Sequence, residues 1–347
     1  MSGARVTITD LARELSLSVC TINKALTGKP RITEATRQRV VEAANRLGYK
    51  PNPLARSMGR SVIKLATIYP NAWPSHTKEL FEGVKERLAE LRDYRVEASF
   101  KIIPDFTDGR AFLRALREIA KDGTKGVIFS FGDYSAADTS AILQALSATG
   151  IPHVALGNAA QGEGPLLSSV WQDCQLCGHL AGELLSFALP PKAKTAIFIG
   201  RREHPDHSLK IQGFSDALKG QGLRLPEVCE AFDDPKEALP AAKRLFQAHP
   251  DIAGLYIGTE NVLGILDYLE KSGRKGKVKV VATGISEPVA KGIRTGLVQA
   301  SIHQRQRFQG RLAVNTLFNL LETGVKMNQE TLVAPQILFP GNFAEAE

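Results

Sequence analysis

From Val62 onward, short apolar runs alternate with amphipathic helical stretches, and this alternation restricts the fold more than any other feature of the chain. Strands are expected near 62–69, 95–103, 125–131, 152–157 and 167–171, with intervening helices that include 76–92 and 108–122. A second series has strands near 194–199, 226–232, 253–257, 277–283 and 297–302, and helices at 172–188, 208–220, 236–248, 261–272 and 286–295. A helix at 306–323 returns, and Gln336-Ile337-Leu338-Phe339 closes the pattern. Two consecutive open sheets of this kind form two lobes, and ligands bind such sheets in the crevice beyond the carboxyl ends of the strands. An α/β enzyme is one alternative. Against it, the chain has no phosphate-binding Gly-Lys loop, no G-x-G-x-x-G after a strand and no nucleophile elbow.

The first 60 residues are of another kind. They hold 11 Lys and Arg against four acids, whereas the other 287 residues hold 33 against 32. Nearly all of the net charge of +8 therefore belongs to one small segment, the footprint of a surface that neutralises phosphates. Thr7-Ile8-Thr9-Asp10 has the form of a capping box, and Ile8, Leu11, Ala12 and Leu15 recur behind it at helical spacing. After the short break Ser16-Leu17, Ser18 can cap a second helix from Val19 to Leu26, whose Ile22, Ala25 and Leu26 face inward. A third helix is expected from Thr33 to Leu47 with Val40, Val41, Ala44 and Leu47 as its apolar stripe and Gly48 as its stop. Two short helices joined by so tight a turn read as a helix-turn-helix.

The run Val6-Thr7-Ile8, Asp10-Leu11-Ala12, Leu17-Ser18, Thr21-Ile22, Lys24-Ala25-Leu26, Gly28-Lys29-Pro30-Arg31-Ile32-Thr33, Thr36-Arg37, Ala43-Ala44, Leu47-Gly48-Tyr49, Pro51-Asn52 and Ala55-Arg56-Ser57-Met58 resembles the headpiece of the lactose-repressor (LacI) family. The resemblance implies a helix from Ser18 lying in the major groove, with Val19, Cys20 and Lys24 at base-reading positions. Lys24 would donate to a guanine edge, and Val19 and Cys20 would offer apolar contact to a thymine methyl. It places Thr7, Ser18, Thr21, Asn23, Arg31, Thr33 and Thr36 at phosphates or the groove rim, and adds Tyr49, Asn52 and Ala55 to the DNA-contacting set. In the hinge, Met58 would take the wedge position that enters the minor groove. Ser16 stands where relatives have glycine. Every serine or threonine at a helix start also has a plain capping role to fill.

The resemblance continues more loosely through Lys210, Gly213-Phe214, Ala217-Leu218, Gln304, Gly310 and Leu312-Ala313, and implies the fold of periplasmic sugar-binding proteins. The expected fold class is therefore α plus α/β: a three-helix helix-turn-helix headpiece and a two-lobed periplasmic-binding-protein-like domain. The expected units are a headpiece at 1–50, a hinge at 51–60 and a sensor at 61–347. Lobe 1 is expected at about 61–166 and 296–324, and lobe 2 at about 167–295 and 325–340. Candidate effector-binding residues are Trp73, Asp173, Lys210, Glu260, Asn261 and Gln304, although Asp173 and Asn261 also suit helix caps. Relatives that bind simple sugars carry arginine at Lys210 and aspartate at Gly284. These departures leave a sugar, sugar acid, sugar phosphate or polyol all open as effector.

No catalytic residue, metal site or cofactor is expected. Cys174-x-x-Cys177 lies in an apolar helical stretch and reads as core packing, and the Arg201–His207 loop reads as a cleft rim before a metal site. Met1 to Thr7 lacks the apolar core of a secretory signal, so a cytoplasmic protein with no membrane contact is expected. The implied partners are double-stranded operator DNA, a small-molecule effector and a second copy of the chain in a homodimer. Short of the family resemblance, an extracytoplasmic sugar-binding protein without a DNA role is the remaining alternative.

Overall fold

Three helices open the chain, each started by a hydroxyl side chain. The computed structural model describes residues 6–26, 32–49, 61–71, 74–159, 166–232, 234–259 and 262–343. Helix α1 (Ile8–Leu15) begins in the expected capping box: Asp10 N–H donates to Thr7 Oγ1 at 3.3 Å and Thr7 N–H to Asp10 Oδ2 at 2.9 Å. Helix α2 (Val19–Leu26) starts where Thr21 N–H donates to Ser18 Oγ at 3.0 Å, and α3 (Glu34–Arg46) where Thr36 N–H donates to Thr33 Oγ1 at 3.3 Å. Leu11, Ala12, Ile22, Ala25, Val40, Ala43 and Ala44 form their shared core. Val41 was expected in this stripe, but it is 42% exposed because the inward face of α3 is completed by Ala43 instead.

Between α1 and α2 the chain turns at Ser16, whose φ of 52° and ψ of 40° are left-handed. Leu17 N–H then reaches back to the Ala12 carbonyl at 3.0 Å and closes the turn. A side chain in this region costs roughly 1–2 kcal/mol that glycine does not pay. Gly48, at φ +65°, ends the segment after α3.

The sensor follows as β1 (Ile63–Pro70), α4 (Pro74–Glu90), β2 (Val96–Ile103), α5 (Gly109–Lys121), β3 (Gly126–Phe129), α6 (Ala136–Ala148), β4 (His153–Leu156) and β5 (Leu167–Gln172). It continues with α7 (Cys174–Ala188), β6 (Lys194–Ile199), α8 (Pro205–Gln221), β7 (Arg224–Glu230), α9 (Pro235–Ala248), β8 (Ile252–Ile257), α10 (Leu263–Lys271) and β9 (Lys279–Thr283). The last elements are α11 (Glu287–Arg294), β10 (Ala300–His303), α12 (Gln306–Thr323), β11 (Glu330–Val333) and β12 (Gln336–Leu338). One six-stranded sheet has the order β11-β5-β4-β3-β1-β2 and is parallel throughout. The other has the order β12-β10-β9-β8-β6-β7, parallel except for β12. Each sheet carries apolar clusters on both faces, which is why its central strands read as near-continuous hydrophobic runs.

The topology corrects the expected lobe boundaries. Strand β5 was assigned to lobe 2 but pairs with β4 in the first sheet, and β10 was assigned to lobe 1 but pairs with β9 in the second. Strand β11, which the pattern did not reveal, covers the outer edge of β5 in the first sheet. The chain therefore crosses between lobes three times, after Gln172, after His303 and after Val333. Periodicity identifies a strand, but which sheet it joins depends on pairings far away in sequence.

Within each lobe, two helices meet backbone to backbone at glycines. A Cβ at Gly178 of α7 would collide with the Lys210 carbonyl of α8, and one at Gly213 of α8 with the Gln175 carbonyl of α7. In the first lobe Gly83 of α4 lies against the Arg307 carbonyl of α12, and Gly310 of α12 against the Leu80 carbonyl of α4. Gly213→Ala is expected to force α7 and α8 apart and cost on the order of 1–3 kcal/mol in a urea melt of the full chain. Ser16→Gly is expected to stabilise the headpiece by about 1 kcal/mol, read as roughly fivefold slower hydrogen exchange of the α1 and α2 amides.

Candidate functional site

Two sites emerge, one on the headpiece and one between the lobes. On α2, Val19, Cys20 and Asn23 are exposed, Thr21 and Lys24 are half-buried, and Ile22 and Ala25 anchor the opposite side in the core. The candidate base-reading side chains thus stand on the free face of a helix whose inner face is fixed. Val19 is 44% exposed, an apolar group without cover at the start of a helix. Thr7, Ser18 and Thr33 all serve as helix caps, so their hydroxyls face the same ends at which backbone N–H groups attract phosphate. Thr36 pairs its hydroxyl with that of Thr33 at 2.8 Å, and Thr21 with that of Ser18 at 2.8 Å. Tyr49 is half-buried against the headpiece core. Arg31, Asn52, Ala55 and Met58 lie outside the described residues.

The interlobe cleft is lined by His76, Gly157, Asn158, Gln172, His204, Asp206, His207, Lys210, Gly258, Thr259, Thr283 and Gln304. Its free volume is about 120 Å³, small beside the several hundred Å³ usual for ligand pockets, so the lobes stand close together. Of the six effector candidates, Lys210 and Gln304 line it. Asp173 does not: its Oδ1 accepts from Leu176 N–H at 2.8 Å and caps α7. Trp73, Glu260 and Asn261 lie outside the described residues. His204, Asp206 and His207 come from the segment read as a cleft rim, and they do line the cleft. The members that the sequence reading missed share one signal: Gln172 and Thr283 end strands, Asn158 and Thr259 closely follow strands, and His76 sits in the first turn of a helix, the positions that ring a crevice.

Lys210, 5% exposed, is the buried charge of the site. Its ammonium donates to the Gly258 carbonyl at 2.9 Å. Burial works against its charge, but Cys174, Tyr256, Cys177 and Asp206 around it hold its pKa above the ordinary lysine value. The close α7–α8 crossing fixes its backbone. Asp206 accepts from Gln172 Nε2 at 2.9 Å, and Thr283 donates its hydroxyl to Tyr256 at 3.2 Å beneath the floor. Gln304 is held from two sides, its carbonyl accepting from Gln309 Nε2 at 2.7 Å and its Oε1 from Gln306 Nε2 at 3.3 Å. Cys174 and Cys177 are buried, and burial drives both thiols upward, Cys177 to about 12, consistent with the core role read from the sequence.

The periplasmic binding protein domain matches residues 65–325, and the bacterial regulatory proteins of the lacI family match residues 7–52. The chain belongs to the lacI family. Its DNA-binding headpiece precedes a periplasmic-binding-protein domain, and it is a DNA-binding transcription regulator. Catabolite control protein A of Priestia megaterium is 25% identical over 274 residues, covering 77% of this chain and 78% of that protein. A crystal structure of a periplasmic ribose ABC transporter from Conexibacter woesei has a TM-score of 0.74 at 19% identity, covering 82% of this chain and 94% of the other. A solute-binding protein of Bacillus halodurans with bound myo-inositol has a TM-score of 0.70 at 16% identity, covering 83% and 98%. At these identities the structural likeness is one of fold. Among the described residues, no helix of this lacI-family chain is long and apolar enough to cross a membrane.

Two part-buried histidines, His207 in the cleft lining and His303 at the end of β10, respond to acid. Burial, then Lys210 and His204, push His207 down to about 3, and burial, then Arg305, pushes His303 down to about 4. Both lie below the unfolded histidine value of about 6.5, so as pH falls from about 6.5 the unfolded chain takes up protons that the native state refuses. Their contribution to stability is present above about pH 6.5 and is lost as pH falls toward 4 and 3. The thermal midpoint of the full chain is expected to drop across that window, and His207→Asn is expected to make the drop shallower in a pH series of melts.

Proposed function

We propose that this regulator is a homodimeric repressor whose hold on a pseudo-palindromic operator is set by a small sugar-like effector in the interlobe cleft. The observation that carries the reading is the cleft itself: a buried, backbone-anchored Lys210 among polar groups from both lobes, with Gln172 and Gln304 on segments where the chain crosses between them. A ligand that touches crossing segments binds the open and closed arrangements differently, and that difference is what shifts an equilibrium. Two headpieces reading two half-sites agree with the symmetry of such operators, and the hinge between headpiece and sensor carries lobe closure to the DNA. Effector and operator then alter each other's affinity by the same factor. The ribose and myo-inositol named for the structural relatives support a polyhydroxy effector. The site of action is the cytoplasm, where the operator is, and the role is binding without catalysis.

Selection from random oligonucleotides, followed by anisotropy titration of the full chain, tests the reading. Specific binding in the 10⁻⁸–10⁻¹¹ M range is expected, on the order of 10³-fold or more tighter than nonspecific binding and falling steeply with salt. Removing residues 1–60 is expected to abolish it. Lys24→Ala is expected to cost about 1–3 kcal/mol and to relax preference at one base pair per half-site. A chain that keeps full ligand binding yet prefers no operator is an extracytoplasmic-type binding protein, and this reading then fails.

A further inference from the structure

The outward face of α2 changes character along its length. Ile22 and Ala25 are buried in the headpiece core, so at about 100° per residue Val19, Asn23, Cys20 and Lys24 follow one another across the opposite side. The two members with strong hydrogen-bonding groups, Asn23 and Lys24, come from the second turn. The first turn presents Val19, 44% exposed, and Cys20, also exposed. Valine has no hydrogen-bonding group in its side chain, and a thiol is a weak donor. The hydroxyls beside them are largely engaged. Ser18 Oγ accepts from Thr21 N–H at 3.0 Å and lies 2.8 Å from Thr21 Oγ1, which leaves one hydroxyl hydrogen between the two. That hydrogen suits a phosphate oxygen at the groove rim.

In a helix-turn-helix the second helix enters the major groove with its N-terminal residues against base edges. The 11 Lys and Arg against four acids in the first 60 residues supply the attraction that holds it there. In that groove guanine, adenine and cytosine present hydrogen-bond donors and acceptors, and thymine adds a 5-methyl group. Val19 and Cys20 pressed against an amino group or a ring nitrogen would strip it of water and return no good hydrogen bond, which is unfavourable. Pressed against a methyl, they bury apolar surface without that loss. Cytosine methylated at C5 carries its methyl where thymine does. Apolar side chains therefore separate methylated from unmethylated pyrimidines, and do not separate thymine from methylated cytosine.

We propose that Val19 and Cys20 read the 5-methyl group of a pyrimidine, so that thymine and 5-methylcytosine are both accepted at that base pair and cytosine methylation there strengthens binding. This rests on the headpiece reading a specific operator through α2. Recognition is then divided along the helix: the first turn senses a methyl, and the second turn carries the side chains that form hydrogen bonds.

The test uses the full chain and an operator selected from random oligonucleotides. Each thymine is replaced in turn by deoxyuridine, which removes the methyl and keeps every hydrogen-bonding atom, and each cytosine by 5-methylcytosine. At one or two positions per half-site, deoxyuridine is expected to weaken binding about fourfold, the effect of burying one methyl. With cytosine at the same position, methylation is expected to restore about fourfold. Val19→Ser and Cys20→Ser alter exposed side chains and leave the core intact, and they are expected to bring the thymine-to-uracil affinity ratio there to about one. A methyl effect that persists unchanged in both serine variants belongs to the shape of the DNA and overturns the inference. An operator along which neither replacement alters affinity also overturns it, while the operator reading stands. If selection yields no operator, both fall.

Discussion

Each lobe depends on a pair of helices whose backbones touch through glycine. In the second lobe Gly178 and Gly213 let α7 and α8 approach until carbonyl oxygens occupy the space of a side chain, and in the first lobe Gly83 and Gly310 do the same for α4 and α12. These contacts reach the cleft directly. Helix α8 carries Asp206, His207 and Lys210, and the backbone of Lys210 is itself part of the crossing. Helix α12 starts beside Gln304 and packs on α4, which brings His76 to the opposite wall, 3.3 Å from the Gln306 amide. Close-packed interiors transmit displacement rather than absorb it, so these crossings hold the polar groups in register.

The crossings between lobes give the cleft its leverage. Gln172 and Gln304 each belong to a segment that leaves one sheet for the other, so a ligand that binds them touches the hinges as well as the walls. Arg305, next to Gln304, has a φ of 57°, a left-handed conformation that a side chain adopts only under the hold of its surroundings. Buried amide oxygens without partners on Gln306 and Gln309 lie in the same region. The left-handed backbone of Arg305 and these orphaned oxygens thus lie together at the second crossing between the lobes.

Much of this was open to reading in sequence because local chemistry fixes it. Hydroxyls before apolar periodicity marked the three headpiece helices, and strands buried on both faces marked β3 and β4 as short, largely apolar runs. Helix α6 went unremarked because only Ile142 and Leu146 of its residues are buried, which leaves little periodic signal. Strand β11 was missed because it is four residues long and mostly outward-facing. In the site, Lys210 and Gln304 were found through landmarks around Gly213 and Gly310. Asp173 was chosen where its neighbour Gln172 is the cleft residue, since one position separates the end of a strand from the cap of the next helix.

The sequence by itself determined a basic three-helix headpiece and a doubled α/β sensor, because capping, periodicity and charge act over a few residues at a time. Only the tertiary structure decided which sheet β5, β10 and β11 join, and therefore where the lobes divide. It alone brought Gln172 to Asp206 across 34 positions. Those outcomes depend on pairings between distant segments, and no local pattern encodes a distance between residues that meet only when the chain has folded.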